Sequence, residues 1–119
     1  MGESTPPRIE LAEFLRLAAE RGATTVLYLV GRPPVMRIGR DLQPPLQSAP
    51  LTFRETQALA EQLLSPAELQ FMEEHGNVEA TFEVGGVKGH LSAFYGLGSH
   101  NLVFYIEEVV GRTEDAAAG

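Results

Sequence analysis

Three histidines, His75, His90 and His100, are the first residues whose types invite a chemical reading. A metal site needs several donors that converge, and zinc sites usually combine three or four of them. These three lie on separate segments, with no His-x-His or His-x-x-x-His pair, and the chain has no cysteine to add a thiolate. A metal is therefore not expected. Ser92 and His100 would need a positioned acid to act as nucleophile and base, and the only aspartates are Asp41 and Asp115. No Gly-x-Ser-x-Gly elbow or partner spacing supports such a triad. Glu107 and Glu108 are a carboxylate pair, but neighbours on a strand point to opposite faces, so they are expected not to share a substrate. Gly96-Leu97-Gly98 lacks the third glycine and the helix of a dinucleotide fingerprint. It reads as a turn.

One set of residues survives these exclusions. Lys88, His90 and Phe94 alternate along one face of a single strand, and Tyr105 is expected beside them on the next. Arg32, at a Gly-Arg-Pro-Pro corner, joins them as a further candidate. Aromatic and basic groups on an open sheet face suit protein recognition. The alternative is that helices cover this face and make Phe94 part of the core.

The elements that must position this set can be read from hydrophobic period and punctuation. Ile9 to Arg21 is a helix: Glu10, Glu13, Arg16 and Glu20 form one polar stripe, and Ile9, Leu11, Phe14, Leu15, Ala18 and Ala19 lie opposite. Gly22 stops it. Thr25 to Val30 is apolar on both faces and reads as a central strand. Val35 to Ile38 is a second strand, and Gly39-Arg40-Asp41 turns into a third around Leu42. A proline-containing loop follows to Pro50. Two capping boxes then open two helices: Thr52 with Glu55, and Ser65 with Glu68, the latter helped by Pro66 at the first helical position. Gly76 is the left-handed end of the second helix, and His75 before it complements the helix dipole. Asn77 to Val84 alternates, with Val78, Ala80, Phe82 and Val84 inward. Gly85-Gly86 is a two-residue hairpin signal. Val87 to Leu97 returns with Val87, Leu91, Ala93, Tyr95 and Leu97 inward. A looser turn over Gly96 to Asn101 leads to a last strand, Leu102 to Val110. The order α-βββ-αα-βββ predicts an α+β domain of about six mainly antiparallel strands with helices packed on one face. The domain is expected over residues 8–112, with disordered tails at 1–7 and 113–119.

Bulk composition narrows the function. The chain has 119 residues, 44% hydrophobic and 21% charged, and fits one globular domain. Nine Lys and Arg face sixteen Asp and Glu, a formal net charge of −7. That field repels phosphate backbones and anionic lipid headgroups, so neither nucleic-acid binding nor membrane insertion is expected. No signal-peptide pattern opens the chain, and no apolar run approaches the length of a membrane span. A cytoplasmic location follows as the expectation.

One stretch extends these readings. Gly22-Ala23-Thr24-Thr25-Val26-Leu27-Tyr28 runs without gaps to Gly31, Pro33 and Pro34, then Arg37-Ile38, Asp41-Leu42 and Pro44. This resembles the N-terminal, PAS-like domain of the type IV pilus retraction ATPases, the PilT family of twitching-motility motors. That family typically shows Gly-Ala-Ser-Asp-Leu-His-Leu, then Gly-x-Pro-Pro, then Arg-Ile-x-Gly-x-Leu-x-Pro. Pro50-Leu51-Thr52, Phe71, Glu74, Gly76, Phe82 and Gly86 fall at familiar places, so the resemblance spans about residues 9 to 106. The departures are informative. These residues hold no Gly-x-x-x-x-Gly-Lys-Ser/Thr to cradle phosphates. The family's Asp and His in the first strand correspond to Thr25 and Leu27, its two arginines after the hairpin to Lys88 and His90, and a third to Tyr105. A lysine's point charge does not replace a forked guanidinium. The resemblance thus implies a non-catalytic adaptor without cofactor, kept for folding and docking. Its partner would be a protein: a type IV pilus or type II secretion ATPase, a polarity regulator, or a second copy in a homodimer, with recruitment to the inner-membrane pilus machinery. Two alternatives stand beside it: a PAS-like sensor of a small ligand such as a nucleotide, or an excised N-terminal domain of a longer motor. The Gly-x-Pro-Pro corner itself has a structural reading, a tight bend at a sheet edge.

Overall fold

Helix α1 spans Leu11–Glu20, one to two residues shorter at each end than the apolar pattern suggests. It ends in a Schellman motif: Gly22 takes φ 81°, its N–H donates to the Ala19 carbonyl, and the Ala23 N–H donates to that of Ala18. The computed structural model describes residues 9–96 and 98–110, and the expected tails lie outside the described residues. Strands β1 (Thr25–Tyr28), β2 (Val35–Ile38) and β3 (Asp41–Leu42) follow, then helices α2 (Phe53–Leu63) and α3 (Pro66–His75), then strands β4 (Asn77–Val84), β5 (Val87–Gly96) and β6 (Ser99–Val109).

Both capping boxes form. The Glu55 N–H donates to the Thr52 hydroxyl at 3.2 Å and the Glu55 carboxylate accepts from the Thr52 N–H at 2.8 Å. Ser65 and Glu68 repeat the exchange at 3.1 and 2.9 Å. Each box satisfies two orphan donors at a helix start, which fixes where α2 and α3 begin. Gly76 closes α3 at φ 89°.

The six strands form one antiparallel sheet in the order β3-β2-β1-β6-β5-β4. Two three-stranded meanders therefore meet at the β1–β6 pair, and β1 is internal, as its two apolar faces predict. The hairpin at Gly85-Gly86 joins β4 to β5, with both glycines at positive φ. A Cβ on Gly85 would lie 2.9 Å from the Ala12 carbonyl oxygen and one on Gly86 2.6 Å from that of Val110, so this turn packs against two other elements.

The core fills one side of the sheet. Phe14, Leu15 and Ala18 of α1, Ala60 of α2 and Met72 of α3 pack on Val26, Met36, Leu91, Leu102 and Phe104, all buried. Phe14, Tyr28, Phe104 and Phe82 form a chain of edge-to-face rings with centroids 5.1 to 5.9 Å apart. The three helices contribute to this side; on the opposite face Thr25, Ser92 and Val103 are buried in the middle, while Phe94 and Tyr105 are exposed.

Three sequence expectations need correction. The loose turn over Gly96 to Asn101 is instead mostly strand: β5 and β6 stay paired to Gly96↔Ser99. Tyr95, expected inward, is 37% exposed. It lies beyond the last β4–β5 pair, Asn77↔Phe94, and rests on the His100 ring at 4.8 Å. Leu97 lies outside the described residues. Finally, the β5–β6 register slips at Lys88/Gly89: Lys88 faces Glu108 and Gly89 faces Ile106, so Glu107 is an extra residue. A bulge breaks the alternation. Glu107 and Glu108 both line one shallow depression with Thr81, Glu83 and Lys88.

Candidate interaction face

Alternation and register place the open face residue by residue. One cross-strand row runs Arg37, Thr25, Tyr105, His90, Thr81, and the next runs Val35, Leu27, Val103, Ser92, Glu79. Beyond them Asn101 faces Phe94, which faces Asn77. Phe94 and Tyr105 are exposed by 43% and 41%. The structure therefore brings Lys88, His90, Phe94 and Tyr105 onto one face of the sheet. The His90 and Tyr105 rings lie 5.9 Å apart, tilted by 43°.

Arg32 sits apart from the other four. It follows Val30, whose N–H donates to the Asn101 side chain at 2.9 Å, so it lies at the Phe94 end of the sheet, remote from Lys88. The corner around it is a structural device. Gly31 at φ 87° donates to the Leu51 carbonyl, the Arg32 carbonyl accepts from the Leu51 N–H, both at 2.9 Å, and Pro34 is buried.

Glu79 is the functional neighbour that sequence reasoning misses. Its carboxylate accepts from His90 Nε2 on one oxygen and from the Ser92 hydroxyl on the other, the latter at 2.8 Å. The hydrogen bond from His90 is the chief reason its pKa falls below the ordinary value; burial opposes the shift and Ser92 adds to it. The β4–β5 register, which puts Glu79 opposite Ser92 and one step from His90, follows from the two-residue hairpin and was the available signal. Serine and histidine are each held by the acid and not by one another, which differs from the serine–histidine–acid order of a hydrolase triad. Among the described residues no group of three His, Asp or Glu side chains converges as a metal would require. His75, at the end of α3, shares a hydrogen bond with the Phe71 carbonyl at 3.0 Å and stacks on the Phe71 ring.

Charge on the open face is uneven. Glu79, Glu83, Glu107 and Glu108 surround Lys88 and His90 on the β4–β6 side, whereas Arg37 stands across the sheet on β2. Between them lie Tyr105, Leu27, Val103 and Val35, with Phe94 beyond. The face is aromatic and aliphatic in the middle and mostly acidic along one flank.

The same architecture occurs in solved ATPase structures. The chain is similar to the pilus retraction motor PilT solved with bound ADP, at 30% identity and a TM-score of 0.70, over 82% of this chain and 29% of that one. This is a PilT-type N-terminal fold. The Legionella pneumophila ATPase DotB has it too, at 13% identity and a TM-score of 0.69, over 87% of this chain and 31% of that one; at that identity the likeness concerns fold alone. The chain thus spans about three tenths of the length of either protein. No protein-family model matches the sequence, and no curated protein does. No helix among the described residues is long and apolar enough to cross a membrane.

Proposed function

We propose that this PilT-type domain is a non-catalytic docking module that engages a type IV pilus or type II secretion motor ATPase through the open face of its sheet. The observation that supports this most directly is the pairing of a helix-backed core with an opposite face that bears Phe94 and Tyr105, both over 40% exposed. Large aromatics on a sheet surface cost solubility and do little for the core, and they are the residues that anchor protein interfaces. The likeness to a pilus retraction motor supports the choice of a motor ATPase as the partner class. The substitutions at Thr25, Leu27 and Tyr105, where the family's polar groups stand, leave this face better suited to apolar contact than to holding phosphates. The acidic flank asks for basic side chains on the partner. Docking at a motor would put the domain at the cytoplasmic side of the pilus machinery.

The test is co-purification from cells of the source organism, with quantitative identification of pilus and secretion components. Specific recovery of a motor ATPase with the wild-type domain, and its loss with Phe94→Ala, supports the reading. Recovery of neither motility nor secretion components, or equal recovery with both proteins, refutes it.

A further inference from the structure

The two edges of the sheet differ. β3 is two residues long, and Gln43 after it donates its N–H to the Met36 carbonyl at 2.9 Å. β4 runs for eight residues and, among the described residues, pairs only with β5. The two-residue hairpin at Gly85-Gly86 closes on Val84 and Val87, a pair that exchanges both backbone hydrogen bonds. At the far end the Tyr95 N–H donates to the Gly76 carbonyl at 2.9 Å, in the same phase. Val84, Phe82, Ala80 and Val78 therefore commit their N–H and C=O groups to β5. Those of Asn77, Glu79, Thr81 and Glu83 point away from the sheet, and no described backbone group pairs with them.

Edge strands that stay unpaired are commonly short, bulged, or interrupted by proline or lysine. β4 has none of these devices: its register with β5 is unbroken over eight pairs, and it holds no proline or lysine. Its guard is acidic charge. Glu79 and Glu83 are two of the residues whose backbone is free, and both are exposed. Glu107 and Glu108 line the depression beside Glu83, where Lys88 is the one described base. This guard acts against a second copy. Every antiparallel self-pairing of β4 that matches at least three of these outward residues sets glutamate directly opposite or diagonal to glutamate, where like charges destabilise a sheet. Each copy also carries a net charge of −7.

We propose that the free edge of β4 takes up an extended segment of a partner protein as an added antiparallel strand, with lysine or arginine at alternate positions. The geometry joins the two requirements. A residue directly opposite Glu79, Thr81 or Glu83 exchanges both backbone bonds with it and places its side chain on the same side of the sheet. Basic residues four positions apart in the segment therefore meet Glu83 and Glu79 while the backbone completes the ladder. Glu79 keeps acceptor sites beyond those used by His90 and Ser92. Residues between the basic ones fall on the helix side, next to Phe82 and Ala80, and are apolar. Backbone bonds give such a complex its affinity, and the alternate side chains give it specificity. The site goes beyond the docking reading and does not rest on it: it uses the backbone of β4, and neither Phe94 nor Tyr105 takes part.

The probe is a capped peptide, Lys-Val-Thr-Val-Lys-Val-Thr-Val, titrated into the labelled protein below the concentration at which it self-associates. Chemical shifts and hydrogen exchange of the backbone amides report binding. In the free protein the amides of Glu79, Thr81 and Glu83 exchange fast and those of Val78, Ala80 and Phe82 are protected; the peptide protects the first set. A peptide with glutamate for both lysines, and one N-methylated at both lysines, each bind at least about tenfold more weakly, the first through charge and the second through lost backbone bonds. Raising salt from about 0.05 to 0.5 M weakens the lysine peptide several-fold. Thr81→Pro removes an edge donor that β5 does not use, and abolishes binding. Glu83→Lys weakens the lysine peptide about three- to tenfold and strengthens the glutamate peptide, which tests the site even if Thr81→Pro folds poorly. No binding of the lysine peptide, equal affinity for the glutamate or N-methylated peptide, or shifts centred away from β4 overturns the proposal. Protection of the same amides by self-association of the protein alone overturns it in favour of a second copy.

Discussion

Phe82 and Phe94 stand on adjacent strands of the same sheet and face opposite ways, so truncating each tests where the core ends. Phe82 is 6% exposed and meets the Phe104 ring edge-on at 5.1 Å. Phe94 is 43% exposed and has only strand neighbours, Asn77 and Asn101, across from it. Removing a buried phenylalanine costs about 3–5 kcal/mol, the transfer of the ring plus the cavity it leaves. A domain of this length has a total stability of roughly 5–15 kcal/mol. Phe82→Ala should therefore remove roughly a fifth or more of it. A surface cross-strand contact contributes about 0.2–1 kcal/mol, so Phe94→Ala should cost no more than that. Urea unfolding followed by far-ultraviolet circular dichroism gives both numbers, with Phe82→Leu as a milder variant if Phe82→Ala does not fold. The slope m should stay constant, since neither change alters the surface exposed on unfolding. A Phe94→Ala cost equal to that of Phe82→Ala would mean that something covers the supposedly open face, and the assignment of the two faces would fail.

Other consequences follow from particular contacts. Gly89→Ala would drive a Cβ into the Tyr105 carbonyl oxygen at the bulge; a loss of at least about 1–3 kcal/mol is expected, read as a lower urea midpoint. Thr52→Ala and Ser65→Ala each remove a helix cap and should cost about 1 kcal/mol, additively, because they start different helices; a sum far from additive in the double variant would contradict independent caps. Glu79 has a folded-state pKa below its ordinary value of 4.5, so its contribution is complete above that value and is lost as pH falls through the lower folded one. Glu79→Gln should therefore flatten the acid limb of a stability-versus-pH curve below about pH 4.5. An unchanged limb would show that the His90–Glu79 pair does not form in solution.

Much of the frame was legible because local signals and tertiary packing agree. The Thr52/Glu55 and Ser65/Glu68 boxes fix helix starts through bonds only three residues long, and Gly85-Gly86 sets a register that the alternation of Val78, Ala80 and Phe82 extends. Where the reading failed, the determinant was non-local or silent. Gly89 has no side chain to mark its face, and Glu107 is polar on any face, so the bulge between them left no trace in hydrophobic period. The strand over Ser99 to Asn101 is polar and is ordered by pairing to Phe94, Tyr95 and Gly96. Tyr28 read simply as a buried strand aromatic; only packing shows that its hydroxyl ends unpartnered among the described residues. Glu79 looked like one more solvated carboxylate until the register set it against His90 and Ser92.

The docking claim is tested most directly by titrating a purified pilus or secretion motor ATPase from the same organism against the wild-type domain, Phe94→Ala and Tyr105→Ala, with Tm measured on the same samples. Anchor residues of an interface lose about 2 kcal/mol or more on truncation, so each variant should bind roughly thirtyfold or more weakly, while Tm stays near that of the wild type. Wild-type affinity in both variants, or no binding by any of the three, would contradict the account.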